Sequence, residues 1–198
     1  MVDCYYLMKE REKKVMSNSV LKAIAERYSC RGYTDQALTE DQLKAIADAA
    51  VMAPSAMNLQ PWKIIVINDR DILNDLEADA IECLSKLEDK SIYERIMSRG
   101  GKVFYNAPTM FLIPIKEGGE LDCGIVSQNI ALAAHSLGLG SVICGMARLP
   151  FDGQRGQEFK ERVAFPEGYK FGMSVLVGYP ATSGTPHEPD RSKISFIG

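Results

Sequence analysis

Histidine is scarce in this chain, with two in 198 residues, and the cysteines (Cys4, Cys30, Cys83, Cys123 and Cys144) include no C-x-x-C pair. Without clustered imidazoles or paired thiols no spacing reads as a zinc site, and no disulfide framework is implied. A reducing, cytoplasmic setting is therefore expected. Neither G-x-x-x-x-G-K nor G-x-G-x-x-G occurs, which argues against P-loop and Rossmann-type nucleotide binding. Nor is a Ser/His/Asp set assembled: His135 falls in an apolar helical stretch and reads as structural, and His187 lies in a proline-rich segment and reads as exposed. A net charge of −3 and a pI near 5.5 exclude a broadly basic surface, so no nucleic-acid or acidic-membrane partner is expected. No apolar run is long enough for a signal peptide or a membrane span, and repeats are absent.

The composition, 46% hydrophobic and 25% charged, suits one globular domain. Residues 1–19 read as a charged N-terminal extension and residues 20–198 as a single domain. Leu21, Ile24 and Ala25 open the first helical pattern. Thr39 to Gln42 has capping-box form, and Leu43, Ile46, Ala47, Ala50 and Val51 trace an apolar stripe that Pro54 ends. Residues 62–68, 109–115, 141–144 and 170–179 read as strands. Residues 71–100 read as one or two helices, and a further helix falls around 157–163. Residues 122–139 are apolar around most of the helical cylinder, which places this helix at the fold centre or, preferably, at a dimer seam. Strands interleaved with helices give an α/β or α+β layered architecture.

Two segments stand out chemically. Residues 53–62 (Ala-Pro-Ser-Ala-Met-Asn-Leu-Gln-Pro-Trp) form a loop stiffened by Pro54 and Pro61, with one hydroxyl and two amides able to read the N–H and C=O edge of a heterocycle. A connection whose amides bond only the local backbone is the alternative. Arg27, Ser29 and Arg31 alternate, so in an extended segment they share one side and form a clamp for a phosphate or other oxyanion. Here a solvated basic turn is the alternative. Arg191 and Lys193 make a second small basic cluster that reads as a solvated tail unless the fold brings it to Arg27. Cys144 beside Gly145 reads as a small buried strand residue.

Taken in order, Arg27-x-Ser29-x-Arg31, the Pro54-Ser55-x-x-Asn58-x-Gln60-Pro61-Trp62 loop, Asn106-Ala107-Pro108, Asp122 through Gln128-Asn129 into Gly138-Leu139-Gly140-Ser141, and Gly178-Tyr179-Pro180 resemble the FMN-dependent nitroreductase family. The resemblance implies an α+β fold: a three-layer sandwich with a mixed central sheet flanked by helices, in an intertwined homodimer with shared FMN sites. By resemblance, Arg27 and Ser29 contact the phosphate and ribityl chain, and Arg31 reaches the N1/O2 edge of the flavin. Pro54, Ser55, Ala56 and Asn58 belong to a loop lent by the second subunit, Cys144 and Gly145 to the strand end facing N5, and Arg191 and Lys193 to a closing phosphate contact. Lys102 and Asn106 fall near polar flavin contacts, and residues 76–101 where lids diverge. The chain closes soon after Arg191, without the longer arm of larger members.

The implied activity is NAD(P)H oxidation through tightly bound FMN, with a nitroaromatic, quinone or similar flat acceptor served by a ping-pong mechanism and no side-chain nucleophile. Flavin storage without turnover, reductive dehalogenation, flavin fragmentation and a small anion-binding domain remain open alternatives.

Overall fold

The computed structural model describes residues 18–198. The charged extension therefore lies almost wholly outside the described residues. Asn18 opens the described chain by accepting from the backbone N–H groups of Val20 and Leu21, which starts α1 (Ser19–Glu26). None of its residues is buried, and Val20, Leu21 and Ile24 stand exposed. The apolar stripe read from sequence exists, and the described residues leave much of it exposed.

The expected capping box starts α2 (Glu40–Val51): Gln42 N–H donates to Thr39 Oγ1 at 3.2 Å and Thr39 N–H to Gln42 Oε1 at 3.0 Å. Ile46 and Ala50 are buried in it. The chain continues through β1 (Ile65–Ile67), α3 (Arg70–Ser85, capped by Asp69), α4 (Ser91–Met97), β2 (Thr109–Ile115) and α5 (Glu120–Ser136). Then follow β3 (Gly140–Ile143), α6 (Arg148–Asp152), α7 (Gly156–Arg162) and β4 (Lys170–Gly178). The segment read as one or two helices is two. None of the described helices is long and apolar enough to cross a membrane.

The 4-stranded sheet has the order β1-β2-β4-β3, and every strand pair is antiparallel. The mixed character implied by the resemblance narrows to one parallel bridge, Ser29 with Ser141 at the β3 edge. All of β2 is buried, and its neighbours share its hydrophobicity. Pro114 has no N–H for the ladder, and the β2/β4 register shifts between Ile113 and Pro114. Gly172 is the residue skipped there, and a Cβ on it would lie 2.7 Å from the Ile113 carbonyl oxygen.

The period-2 alternation of the strands divides the core. Met110, Leu112 and Leu176 pack with Leu73, Leu76 and Ala80 of α3 and with Phe151 and Phe159. Phe111, Ile113, Ile115, Val175 and Val177 pack on the other face with Ile46 and Ala50 of α2 and Val126, Ile130 and Ala134 of α5. Helices thus cover both faces, giving the three-layer α+β sandwich. Within this chain α5 sits at the fold centre along one side, while Leu121 on it is 80% exposed.

Candidate active site

Arg27 ends α1 by turning into extended backbone (φ −61°, ψ 142°), and the next residues alternate as the sequence suggests. Cys30 is fully buried, while Ser29 and Arg31 face solvent. The segment is fixed by the sheet: Cys30 N–H donates to Ser141 O at 2.9 Å, Thr34 N–H to Tyr179 O at 2.9 Å, and Ala181 N–H to Gly32 O at 2.9 Å. Beneath it Tyr33 is buried, its hydroxyl 3.0 Å from the Cys30 carbonyl oxygen, and burial pushes its pKa far above the usual phenol range. On the outer side Arg27 Nε is buried without a hydrogen-bond partner among the described residues. A buried donor on a charged group is costly to leave unmade, so this atom is poised for an anionic acceptor.

The end of β3 meets the clamp. Cys144 N–H donates to Ser174 O at 2.8 Å, and Ser174 Oγ–H donates back to Cys144 O at 2.7 Å. Burial pushes the Cys144 thiol pKa up; the backbone N–H groups of Ala147 and Met146, and the nearby Arg31 charge, oppose this. A raised pKa disfavours the thiolate, so Cys144 packs rather than reacts. Gly145, in contrast, is exposed and begins a 3-10 turn (Gly145–Ala147); a Cβ there would meet nothing nearer than Met173 Sδ at 3.9 Å.

Arg31 also borders a cavity of about 460 Å³ with Arg95, Arg99, Lys102, Tyr105 and Met146. Glu77, buried on α3, holds its base by accepting from Lys102 Nζ at 3.0 Å and from Phe104 N–H at 2.8 Å. Tyr105 and Asn106 have left-handed backbone (φ 56° and 61°). The sequence reading named Lys102 and Asn106 without placing them, and it missed Arg95, Arg99 and Glu77. The four-residue spacing of Arg95 and Arg99 was an available signal.

The loop does not join the clamp within one chain. Trp62 bridges Ile115, and Lys116 N–H donates to Pro61 O at 2.8 Å, so the loop sits at the β1 edge beside the far end of β2. The clamp lies at the β3 edge, level with Thr109 through Ser141 and Val177. These are opposite corners of the sheet, separated by on the order of 20 Å along the strands and three strand spacings across them. Pro54, Ala56 and Asn58 are exposed and Ser55 is half-buried. The loop's polar groups bond one another: Gln60 N–H donates to Ser55 Oγ at 2.9 Å and Gln60 Nε2 to Asn58 Oδ1 at 2.9 Å. Met57, Asn58 and Gln60 all have left-handed backbone (φ 50°, 54° and 46°), an uncommon concentration for residues other than glycine.

Arg191 and Lys193 form an exposed 3-10 turn capped by Asp190, and among the described contacts neither meets Arg27. Only the preceding stretch touches the clamp, where Tyr28 Oη donates to Thr182 O at 3.1 Å.

Comparison with known proteins supplies the remaining observation. The family model described as "Nitroreductase family" matches residues 24–179. A crystal structure of a nitroreductase with bound FMN from Desulfitobacterium hafniense is 47% identical, with a TM-score of 0.90 over 92% of this chain and 100% of that one. A Methanothermobacter thermautotrophicus protein, provisionally named NADH dehydrogenase/NAD(P)H nitroreductase, is 34% identical over 90% of this chain and 87% of its own length. A Bacillus subtilis FMN reductase [NAD(P)H] is 30% identical over 83% of this chain and 67% of its own.

Proposed function

We propose, on the premise that this chain belongs to the nitroreductase family, that it is an FMN-dependent oxidoreductase passing electrons from NAD(P)H to a flat acceptor. The observation that carries the reading is Arg27 Nε, buried and without a hydrogen-bond partner among the described residues, in the same segment as exposed Ser29 and Arg31. Such a donor set fits the phosphate end of FMN, and the relatives named above with FMN agree with that fit. Arg27 and Ser29 would hold the phosphate and ribityl portion, with Arg191 and Lys193 closing on it from the tail. Arg31 sets a positive charge where reduction adds a negative one, which favours the reduced state. Exposed Gly145 leaves room for a flat group against its backbone, and Cys144 fixes that strand end.

The loop of Pro54, Ser55, Ala56 and Asn58 is assigned to the site of a second copy in a homodimer. Its exposure at the opposite corner supports this, as do the uncovered Val20, Leu21 and Ile24 of α1 and the exposed Ile194, Phe196 and Ile197. The single domain then begins at residue 20, with residues 1–19 an appended segment.

Bound FMN supplies the two-electron chemistry, so that NAD(P)H + H⁺ + R–NO₂ gives NAD(P)⁺ + R–NO + H₂O, and a quinone in place of the nitro compound gives the quinol. One open space beside Arg31 and Met146 serves donor and acceptor in turn, which is a ping-pong order. Residue chemistry is confined to binding and charge, in keeping with a raised Cys144 pKa and the absence of a triad. The test is anaerobic reduction by NADH or NADPH followed by addition of a nitroaromatic or quinone. Stoichiometric reoxidation is expected; a yellow protein that neither donor reduces would instead be a flavin store, and a protein with no affinity for FMN would end the reading.

A further inference from the structure

The cavity beside Arg31 carries two cations, Arg95 and Arg99, beyond the flavin edge assigned to Arg31. Ile92, Ile96, Tyr105 and Met146 give it apolar walls, and Arg31, Arg95, Arg99 and Lys102 bring cations to them. Lys102 pairs with Glu77 at 3.0 Å, but no carboxylate lies within salt-bridge distance of Arg31, Arg95 or Arg99 among the described residues. This surplus is local, because the whole chain carries a net charge of −3. The wall is also built rather than incidental. Glu77 is only 7% exposed, and its carboxylate fixes both Lys102 and the Phe104 N–H, next to left-handed Tyr105 and Asn106.

We infer that this cavity binds the anionic group of the redox substrate, a carboxylate or phosphate attached to a flat body that rests on Tyr105 and Met146. The assignment rests on the oxidoreductase reading for the word substrate and on the cavity for the word anionic. Guanidinium groups offer paired donors that match carboxylate and phosphate oxygens, and Arg31, Arg95 and Arg99 are exposed to an incoming anion. The anionic group could come from either side of the reaction: an acidic acceptor such as a nitroaromatic carboxylate, or the 2′-phosphate that separates NADPH from NADH.

The test is calorimetric binding to the FMN-loaded protein of matched pairs that differ in charge: 4-nitrobenzoate against 4-nitrobenzyl alcohol, and NADP⁺ against NAD⁺. The charged member of at least one pair is expected to bind about tenfold tighter, the worth of one charge-assisted contact. That preference should shrink in Arg95→Ala/Arg99→Ala, recover in part in Arg95→Lys/Arg99→Lys, and weaken as salt is raised. A preference confined to nitrobenzoate assigns the anion to the acceptor, and one confined to NADP⁺ assigns it to the donor. Equal binding within both pairs, or a preference that the double alanine variant keeps, overturns the inference. Charge-selective binding in a protein that nitrobenzoate never reoxidises would keep the anion site and remove the nitroreductase reading.

Discussion

The clamp corner and the loop corner of the sheet carry similar chemistry, a few side-chain donors on short irregular backbone, but they are held in opposite ways. Residues 29–34 are sewn into the sheet through Ser141, Tyr179 and Ala181, with Cys30 buried beneath them. The loop after α2 is held mainly by itself: Asn58 N–H donates to Ser55 O at 3.0 Å, Leu59 N–H to Ala56 O at 3.0 Å, and Gln60 Nε2 to Asn58 Oδ1 at 2.9 Å. A site half anchored in the core is preorganised before any ligand arrives. One whose residues face solvent, with Met57 87% exposed, has its shape set by local hydrogen bonds alone.

The largest test of this contrast is on the clamp. Arg27→Ala should weaken FMN binding by roughly 10- to 100-fold, the loss of a charge-assisted hydrogen bond from a buried donor. Arg31→Ala should cost less affinity and chiefly lower the flavin potential; fluorescence titration and a dye-equilibrated redox titration read the two effects separately. Equal FMN affinity in wild type and both variants would break the distinction. Complementation comes next. If the corners meet only between copies, Arg27→Ala and Asn58→Ala chains refolded together should regain intact sites, about a quarter of them by random pairing. Flavin absorbance per chain that never exceeds the two single variants would place both halves in one chain.

Two smaller effects sharpen the contrast in stability. A Cβ on Gly140 would lie 2.7 Å from Cys30 Sγ, so Gly140→Ala should cost about 1–3 kcal/mol in chemical denaturation by overpacking the clamp's support. Met57→Gly in the loop should change stability by less than about 0.5 kcal/mol, because relief of left-handed strain is offset by the entropy of an unfolded glycine. A further effect, confined to high pH, concerns α5, whose Cys123 thiol is pushed by burial to about 11 from an ordinary 9.0. The folded state holds this proton more tightly, so its contribution is complete below pH 9.0 and fades as pH rises through about 11. Melting temperatures taken across that interval should fall, and Cys123→Ser should flatten the slope.

Much of the scaffold was legible because its signals are local. The Thr39/Gln42 capping box, the Pro54 break and the β-branched runs bounded by glycine or proline all act within a few residues. Helix α6 had no counterpart in the sequence analysis; its Pro150 lies in the first turn, where a proline displaces no intrahelical hydrogen bond. The alternation of exposed Ser29 and Arg31 with buried Cys30 was legible, since it depends only on extended backbone. The corner-to-corner separation of clamp and loop depends on strand order, and the pairing of Glu77 with Lys102 on the packing of α3 beneath a distant turn. Neither has a short-range signature. The exposed stripe of α1 shows the same limit: periodicity identifies an apolar face but not the surface that covers it.

The left-handed run at Met57, Asn58 and Gln60 makes the loop a clock as well as a shape. Strained backbone held by a few exposed hydrogen bonds opens at low free energy, independently of the core, so the amides of Asn58, Leu59 and Gln60 should exchange with deuterium long before those of β2. Their exchange rates would then report site assembly one copy at a time, slowing when a second surface closes over them while the buried strands keep their own slower pace.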